Sequence, residues 1–405
     1  MPIEGTKVID GDGHVTEPLD LWTSRMDEAT WGNWIPHTDL ASGRSYLGGE
    51  VRSGGADAMR RAAELSGIAF DKITENVRKV GASLARRGGY RPDVRLEDMD
   101  RAGIDASVLY PTAAMFFGPS DPIRALQNHE FVRDCQRAYN DWLAEFCSTD
   151  PERLFGVGLV PLQDIGMAVA EAARIVDLGL QGVMVRPSPY IDELPLSHSV
   201  YDPFWSTCQE LGLSVAFHPG VHGDTPGACR KFGLVVDDPD ISVVNNTVNT
   251  LYGGSGFGRA IGNAADMIVT VGRLIMGGVC ERFPSLRFVF LESGGGWMPT
   301  ILERMDAQVG EFPLDGENLT MAPSDYFRRQ CYVSFDADEW SLAASAKWLG
   351  ADRVLWASNY PHPKYSDGVL AKLMTALGPL EGAEQHQILW ANAVEAYGLP
   401  IPAAV

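Results

Sequence analysis

The chain has 405 residues, 45% hydrophobic and 21% charged, which is enough for one large α/β domain or two ordinary ones. Its 33 basic and 53 acidic side chains leave a formal charge of −20, a poor match for nucleic acid or an anionic membrane surface. No apolar run is long enough to span a bilayer, and no basic stretch followed by an apolar core opens the sequence, so no membrane association or signal peptide is expected.

Short β-rich apolar runs occur in chain order at Lys7–Asp10, Ala106–Tyr110, Phe155–Val160, Gly182–Val185, Ser214–Phe217, Arg287–Leu291, Tyr332–Phe335 and Val354–Trp356. Most are continuously apolar rather than alternating, which is the pattern of strands buried on both faces of a parallel sheet. Helical spacing fills the gaps, at Ile123–Cys147, Met167–Leu178, Tyr201–Leu211 and Trp297–Val309. Strands alternating with helices in this number predict an α/β fold, a (β/α)8 TIM barrel running as one domain over 1–405. Two stretches interrupt the alternation. Residues 23–95, after the first strand, contain an amphipathic helical region at 56–87; residues 219–284, after the fifth, are rich in Gly and Asn before a long apolar helix near 264–279. Insertions of this kind form lids, substrate walls or oligomer contacts.

Six cysteines, Cys135, Cys147, Cys208, Cys229, Cys280 and Cys331, are scattered without metal-ribbon or C-x-x-C spacing. They read as reduced thiols of a cytoplasmic protein.

Active sites of such barrels lie at the carboxyl ends of the strands. The residues found there are metal-capable after four of the eight strand signals. Asp12, His14 and Glu17 follow the first in Asp-Gly-Asp-Gly-His-Val-Thr-Glu-Pro. His218, with His222 four residues on, follows the fifth; Glu292 follows the sixth; Asn359 and His362 follow the eighth. Arg186 ends the fourth and is placed to bind a substrate carboxylate. Isolated histidines such as His37, His129, His198 and His386 read more simply as surface or core residues, and Glu17 alone could orient a ligand rather than be one. The combination points to a metal site built from Asp12, His14, Glu17, His218, Glu292 and His362. Asn359 and His222 are the candidate catalytic residues. Trp297, Asn245 and Asn249 are candidate substrate contacts, with Trp31, Trp34, Phe116, Phe117 and Tyr252 as further candidates from the insertions. The Gly294–Gly296 run has no accompanying Walker lysine and reads mainly as close backbone packing; no nucleotide cofactor is seen.

The stretches Asp10–Pro18, Phe217-His-Pro-Gly, Leu291-Glu-Ser-Gly-Gly-Gly-Trp and Ser358-Asn-Tyr-Pro-His resemble the amidohydrolase superfamily. They are most similar to the amidohydrolase-related branch containing aminocarboxymuconate-semialdehyde and resorcylate decarboxylases. The resemblance spans nearly the whole barrel and implies a metal-binding (β/α)8 fold. Three positions depart from the usual pattern: Asp12-x-His14 where His-x-His is common, Glu292 where many members carry histidine, and Asn359 where aspartate is usual. An amide cannot take a proton from a metal-bound water, so the simple hydrolase scheme is weakened.

Three functions follow as expectations. The first is a dinuclear Fe or Mn/Fe monooxygenase acting on a small organic acid or acyl thioester, since carboxylate-rich sets suit iron and manganese and a similar Asp-x-Asp-x-His start occurs in such oxygenases. It would need a ferredoxin and reductase as electron donor. The second is a mononuclear Zn or Mn hydrolase or non-oxidative decarboxylase. The third is a metal-binding subunit that supports a catalytic partner in a hetero-oligomer. The oxygenase is placed first because the departures fall on the ligands themselves. A small-molecule substrate and a homo- or hetero-oligomer are expected throughout.

Overall fold

Eight short strands, all buried except for Asp336 at the end of the seventh, are laid side by side in chain order. They are β1 (Ile9–His14), β2 (Ala106–Tyr110), β3 (Leu154–Leu159), β4 (Gly182–Val185), β5 (Ser214–Phe217), β6 (Phe288–Phe290), β7 (Cys331–Asp336) and β8 (Val354–Ala357). The computed structural model describes residues 7–41, 44–53, 60, 63, 69–117, 124–187, 189–219 and 261–402. Every neighbouring pair from β1 to β8 is parallel. Helices cover the outside, so the strands are apolar on both faces, as the sequence predicts for a barrel.

The β8–β1 seam is closed by backbone bonds between the end of β1 and the residues just past β8. His14 N donates to Tyr360 O at 2.6 Å, and Asn359 N donates to Asp12 O at 3.1 Å. Beneath them lies a buried polar network. The Asp10 carboxylate accepts from Ser358 N at 2.9 Å and Ser358 Oγ at 2.6 Å. Arg95, 1% exposed, donates to His14 O at 2.8 Å and stacks 4.4 Å from the Tyr360 ring. A Cβ at Gly13 would lie 2.5 Å from Ser107 Oγ and 2.6 Å from Arg95 Nη2. Glycine is therefore required between the two metal-capable residues Asp12 and His14.

The helices around the barrel start at the caps their sequences provide. Asn128 caps His129–Cys147 through Phe131 N, and Asp164 caps Ile165–Asp177 through Met167 N. The first insertion is not purely helical. It contains a three-stranded antiparallel sheet, His37–Asp39, Arg44–Leu47 and Glu50–Ser53, ahead of the helix Phe70–Leu84. Gly48 and Gly49, with φ of 64° and 79°, form the tight turn between its last two strands. Gly-Gly flanked by Tyr46-Leu47 and Val51 is a hairpin signal, and this one is outweighed in the sequence by the charged helical stretch that follows. Of the second insertion, the described residues show the helix Asn263–Ile275, packed on the barrel by Met267, Val271 and Leu274. The five described cysteines are free and buried. Among the described residues no helix is long and apolar enough to cross a membrane.

Candidate metal centre

The strand ends bring four of the expected ligands to one point. Asp12 and His14 lie within β1 itself, which runs further than the apolar run suggests, and both are fully buried. His218 directly follows β5 and Glu292 comes two residues after β6. His14 Nε2 lies 3.6 Å from Asp12 Oδ1 and 3.8 Å from Glu292 Oε2. His218 Nε2 lies 3.9 Å from Asp12 Oδ1 and 2.9 Å from Glu292 Oε2. Donor atoms of Asp12, His14 and His218 all lie within 4.8 Å of one another, and so do those of His14, Glu292 and His362, so two metal-capable groups share His14.

The histidines are set for that task. His14 Nδ1 faces Pro111 O at 2.9 Å and His218 Nδ1 faces Pro219 O at 3.0 Å. A carbonyl only accepts, so each Nδ1 carries the hydrogen and each Nε2 presents its lone pair to the cluster. Both Asp12 carboxylate oxygens and His14 Nε2 are buried with no hydrogen-bond partner among the described residues. Buried polar atoms without partners are costly, and a cation supplies what they lack.

The titration of the metal-free cluster follows from burial and mutual charge. Burial pushes the Asp12 carboxyl up to about 7, against the opposing pull of His218. Burial, then the neighbouring His362 and His218, hold His14 well below its ordinary value. For Glu292, burial acts upward but the hydrogen bond and charge of His218 win and hold it well below the carboxylate range. His218 is raised in turn: burial opposes its charge, and Glu292 more than compensates.

His362 stands beside this cage. Its ring stacks on His14 with centroids 4.0 Å apart, and it lies within ligand reach of His14 and Glu292. Thr112 Oγ1 donates its one hydrogen to Val15 O at 2.6 Å, so at 3.0 Å from His362 Nε2 it must accept. His362 Nε2 therefore carries the hydrogen and Nδ1 the lone pair, the reverse of His14 and His218.

Glu17 is placed elsewhere, and the ligand expectation for it is corrected. Its carboxylate accepts from Thr112 N at 3.1 Å, Ala113 N at 2.9 Å and Ala114 N at 2.9 Å, fastening the loop after β2. Three amides occupy its oxygens, and it belongs to neither metal-capable group of described residues. Glu17→Gln should keep full metal binding while losing about 1.5–3 kcal/mol of stability, the worth of a charged acceptor turned neutral. Metal titration and urea unfolding of the same preparation check both halves.

Arg186 follows β4 directly and is 4% exposed; its backbone N–H donates to the Tyr190 hydroxyl at 2.8 Å. Trp297 precedes the helix Met298–Glu311 with its indole N–H on Gly294 O at 2.8 Å. The glycines before it are filled: Gly295 N and Gly296 N donate to the Glu339 carboxylate at 3.1 and 3.0 Å, and a Cβ on Gly295 would lie 2.2 Å from the Phe335 ring. This is the close packing the sequence suggests. His222, Asn245, Asn249 and Tyr252 lie outside the described residues. The sequence reading missed Thr112, Asp336, Glu339 and Lys364; the signal for two of them was Asp336-Ala-Asp-Glu immediately after the seventh strand.

The amidohydrolase family profile matches residues 9–399, and the chain belongs to that family. Among curated relatives, it is 25% identical over 310 residues to 2-amino-3-carboxymuconate-6-semialdehyde decarboxylase of Dictyostelium discoideum, covering 76% of this chain and 77% of the relative. It is 28% identical over 287 residues to gamma-resorcylate decarboxylase of Rhodococcus jostii, covering 66% and 77%. An amidohydrolase from Mycobacterium avium subsp. paratuberculosis superposes with a TM-score of 0.72 at 21% identity, covering 97% of this chain and 100% of that one. A dihydroxybenzoic acid decarboxylase from Polaromonas sp. JS666, solved with manganese and 2-nitroresorcinol, gives 0.65 at 19% identity and 98% of each. At such identities the structural likeness shows the fold. The oxygenase expectation is overturned: these curated relatives are decarboxylases, and the carboxylate-rich ligand set that motivated O2 chemistry occurs in a chain related to them.

Proposed function

We propose that this chain is a divalent-metal-dependent, non-oxidative decarboxylase of a carboxylic acid on an aromatic or conjugated carbon. The observation that carries the reading is the cluster of Asp12, His14, His218 and Glu292, in which each imidazole Nε2 lies within 3.9 Å of both carboxylates. The decarboxylase names of the curated relatives supply the reaction class. These four residues would hold the metal, and manganese is favoured because the Polaromonas decarboxylase was solved with it and the donors are oxygen and imidazole nitrogen. When bound, such an ion acts as a Lewis acid toward substrate oxygens.

The remaining work falls to the chain. Arg186, buried where β4 ends, is assigned to the substrate's acid group. The C–CO2 bond breaks with its electron pair left on carbon, CO2 departs, and a proton takes its place. His362 is assigned to hold that proton at Nδ1, its ring fixed by Thr112 and by stacking on His14. Glu17 holds Thr112 in place through the 112–114 amides. No electron donor enters this scheme, so a ferredoxin and reductase have no part in it.

The test is CO2 release under anaerobic conditions by the Mn-loaded protein, on a panel of ortho-hydroxybenzoic acids and aminocarboxymuconate semialdehyde. Release that stops on chelation and returns with Mn2+ supports the reading. Turnover that consumes O2, or that continues after the metal is removed, overturns it.

A further inference from the structure

Asn359 has one side-chain atom satisfied and one not. The residue is 2% exposed, and its backbone adopts φ of 55°, a left-handed conformation that asparagine tolerates better than most side chains. Its Nδ2 donates to Asp336 Oδ1 at 2.9 Å, where β7 ends. The other Asp336 oxygen accepts from Lys364 Nζ at 3.1 Å. Asn359 Oδ1 is buried with no hydrogen-bond partner among the described residues. Its own N–H is bonded to the carbonyl of Asp12, a member of the cage.

The orientation of an amide is set by its network, and here one end decides it. A carboxylate only accepts, so Asp336 can face only the NH2 of Asn359. Lys364 only donates, so it holds the carboxylate in that role. We propose that Asp336, itself held by Lys364, is a positioning residue that locks the Asn359 carbonyl oxygen toward the metal centre, making residue 359 a neutral oxygen donor to the bound cation. The inference rests on the metal-site reading above.

The chain of donors and acceptors gives an unusual prediction. In Asp336→Asn the new amide must turn its oxygen to Lys364, because Lys364 has nothing to accept with. Its NH2 then faces Asn359, which must flip and present Nδ2 to the site. Removing Lys364 as well frees residue 336 to turn back.

The experiment is Mn2+ affinity of chelator-treated, refilled protein by calorimetry, across the parent, D336N, K364M and D336N/K364M, with melting curves to establish folding. D336N should bind Mn2+ about tenfold more weakly or worse, and the double variant should return to within about threefold of K364M alone. A loss from charge alone would be additive, and additivity in this cycle overturns the proposal. Asn359→Ala gives a second route if D336N folds poorly: it should show the same loss. Full Mn2+ affinity in N359A also overturns the proposal. If the parent itself binds no Mn2+, the metal-site reading has failed; if it binds and D336N matches it, only the present inference has.

Discussion

His218→Ala is expected to fold, to bind Mn2+ at least about a hundredfold more weakly than the parent, and to lose activity by about a thousandfold. The reason is local. His218 Nε2 is the cage atom nearest Glu292, at 2.9 Å, and it also faces Asp12 at 3.9 Å. Alanine removes one donor and also the charge that holds Glu292 ionised, so burial then drives that carboxyl upward. Two acids that compete for protons bind a cation poorly near neutral pH. Because β5 is packed on both faces independently of this side chain, the barrel should survive. Calorimetric titration with Mn2+ and the CO2 assay measure the two effects. Parent-like metal affinity in this variant would remove His218 from the cage. The contrast with Glu17→Gln is informative, since that variant is expected to lose stability and keep the metal.

Asp12→Asn should stabilise the metal-free protein at neutral and alkaline pH, by about 2–4 kcal/mol, and leave it nearly unchanged near pH 4. The sign follows from the raised carboxyl. Its unfolded value is 3.8 and its folded value about 7. Between those limits the native state keeps a proton that the unfolded chain releases, so the parent's stability falls as pH rises through that window and stays low above it. Asparagine carries no such penalty. The difference between the two unfolding curves, taken at several pH values on chelator-treated protein, isolates this residue to first order. With saturating Mn2+ the order should reverse, because the parent gains a ligand–metal bond that the amide largely forgoes. A metal-free variant less stable than the parent at pH 8 would mean that Asp12 is not strained by burial. The pair of results would show a site that trades stability for function.

The barrel was legible because its signal is repeated. Ala106–Tyr110, Gly182–Val185 and Ser214–Phe217 form strands with the bounds their apolar runs suggest. β1 differs for a physical reason: Asp12 and His14 are polar, so hydropathy ends the strand at Asp10, whereas backbone pairing continues to Tyr110. The cage was legible for the opposite reason, since acids and imidazoles stand out against apolar strands. What could not be read was which acid turns inward. Glu17 and Glu292 are equally plausible ligands in the sequence; only the amides of 112–114, brought from the next strand, separate them. The Asp336–Lys364 support of Asn359 was missed for the same reason, because its partners are 23 and 28 residues apart and meet only across the rim.

The closure of β8 onto β1 has a consequence for how the protein is made. Asp12 leaves the ribosome 350 residues ahead of His362, and at roughly 5–20 residues per second the interval is on the order of tens of seconds. During that time no partial chain has a cage, because the seam bonds that fix the backbone of Asp12 and His14 come from Asn359 and Tyr360. Metal uptake is therefore expected to follow closure of the barrel, so that the pool met by the completed barrel selects the ion.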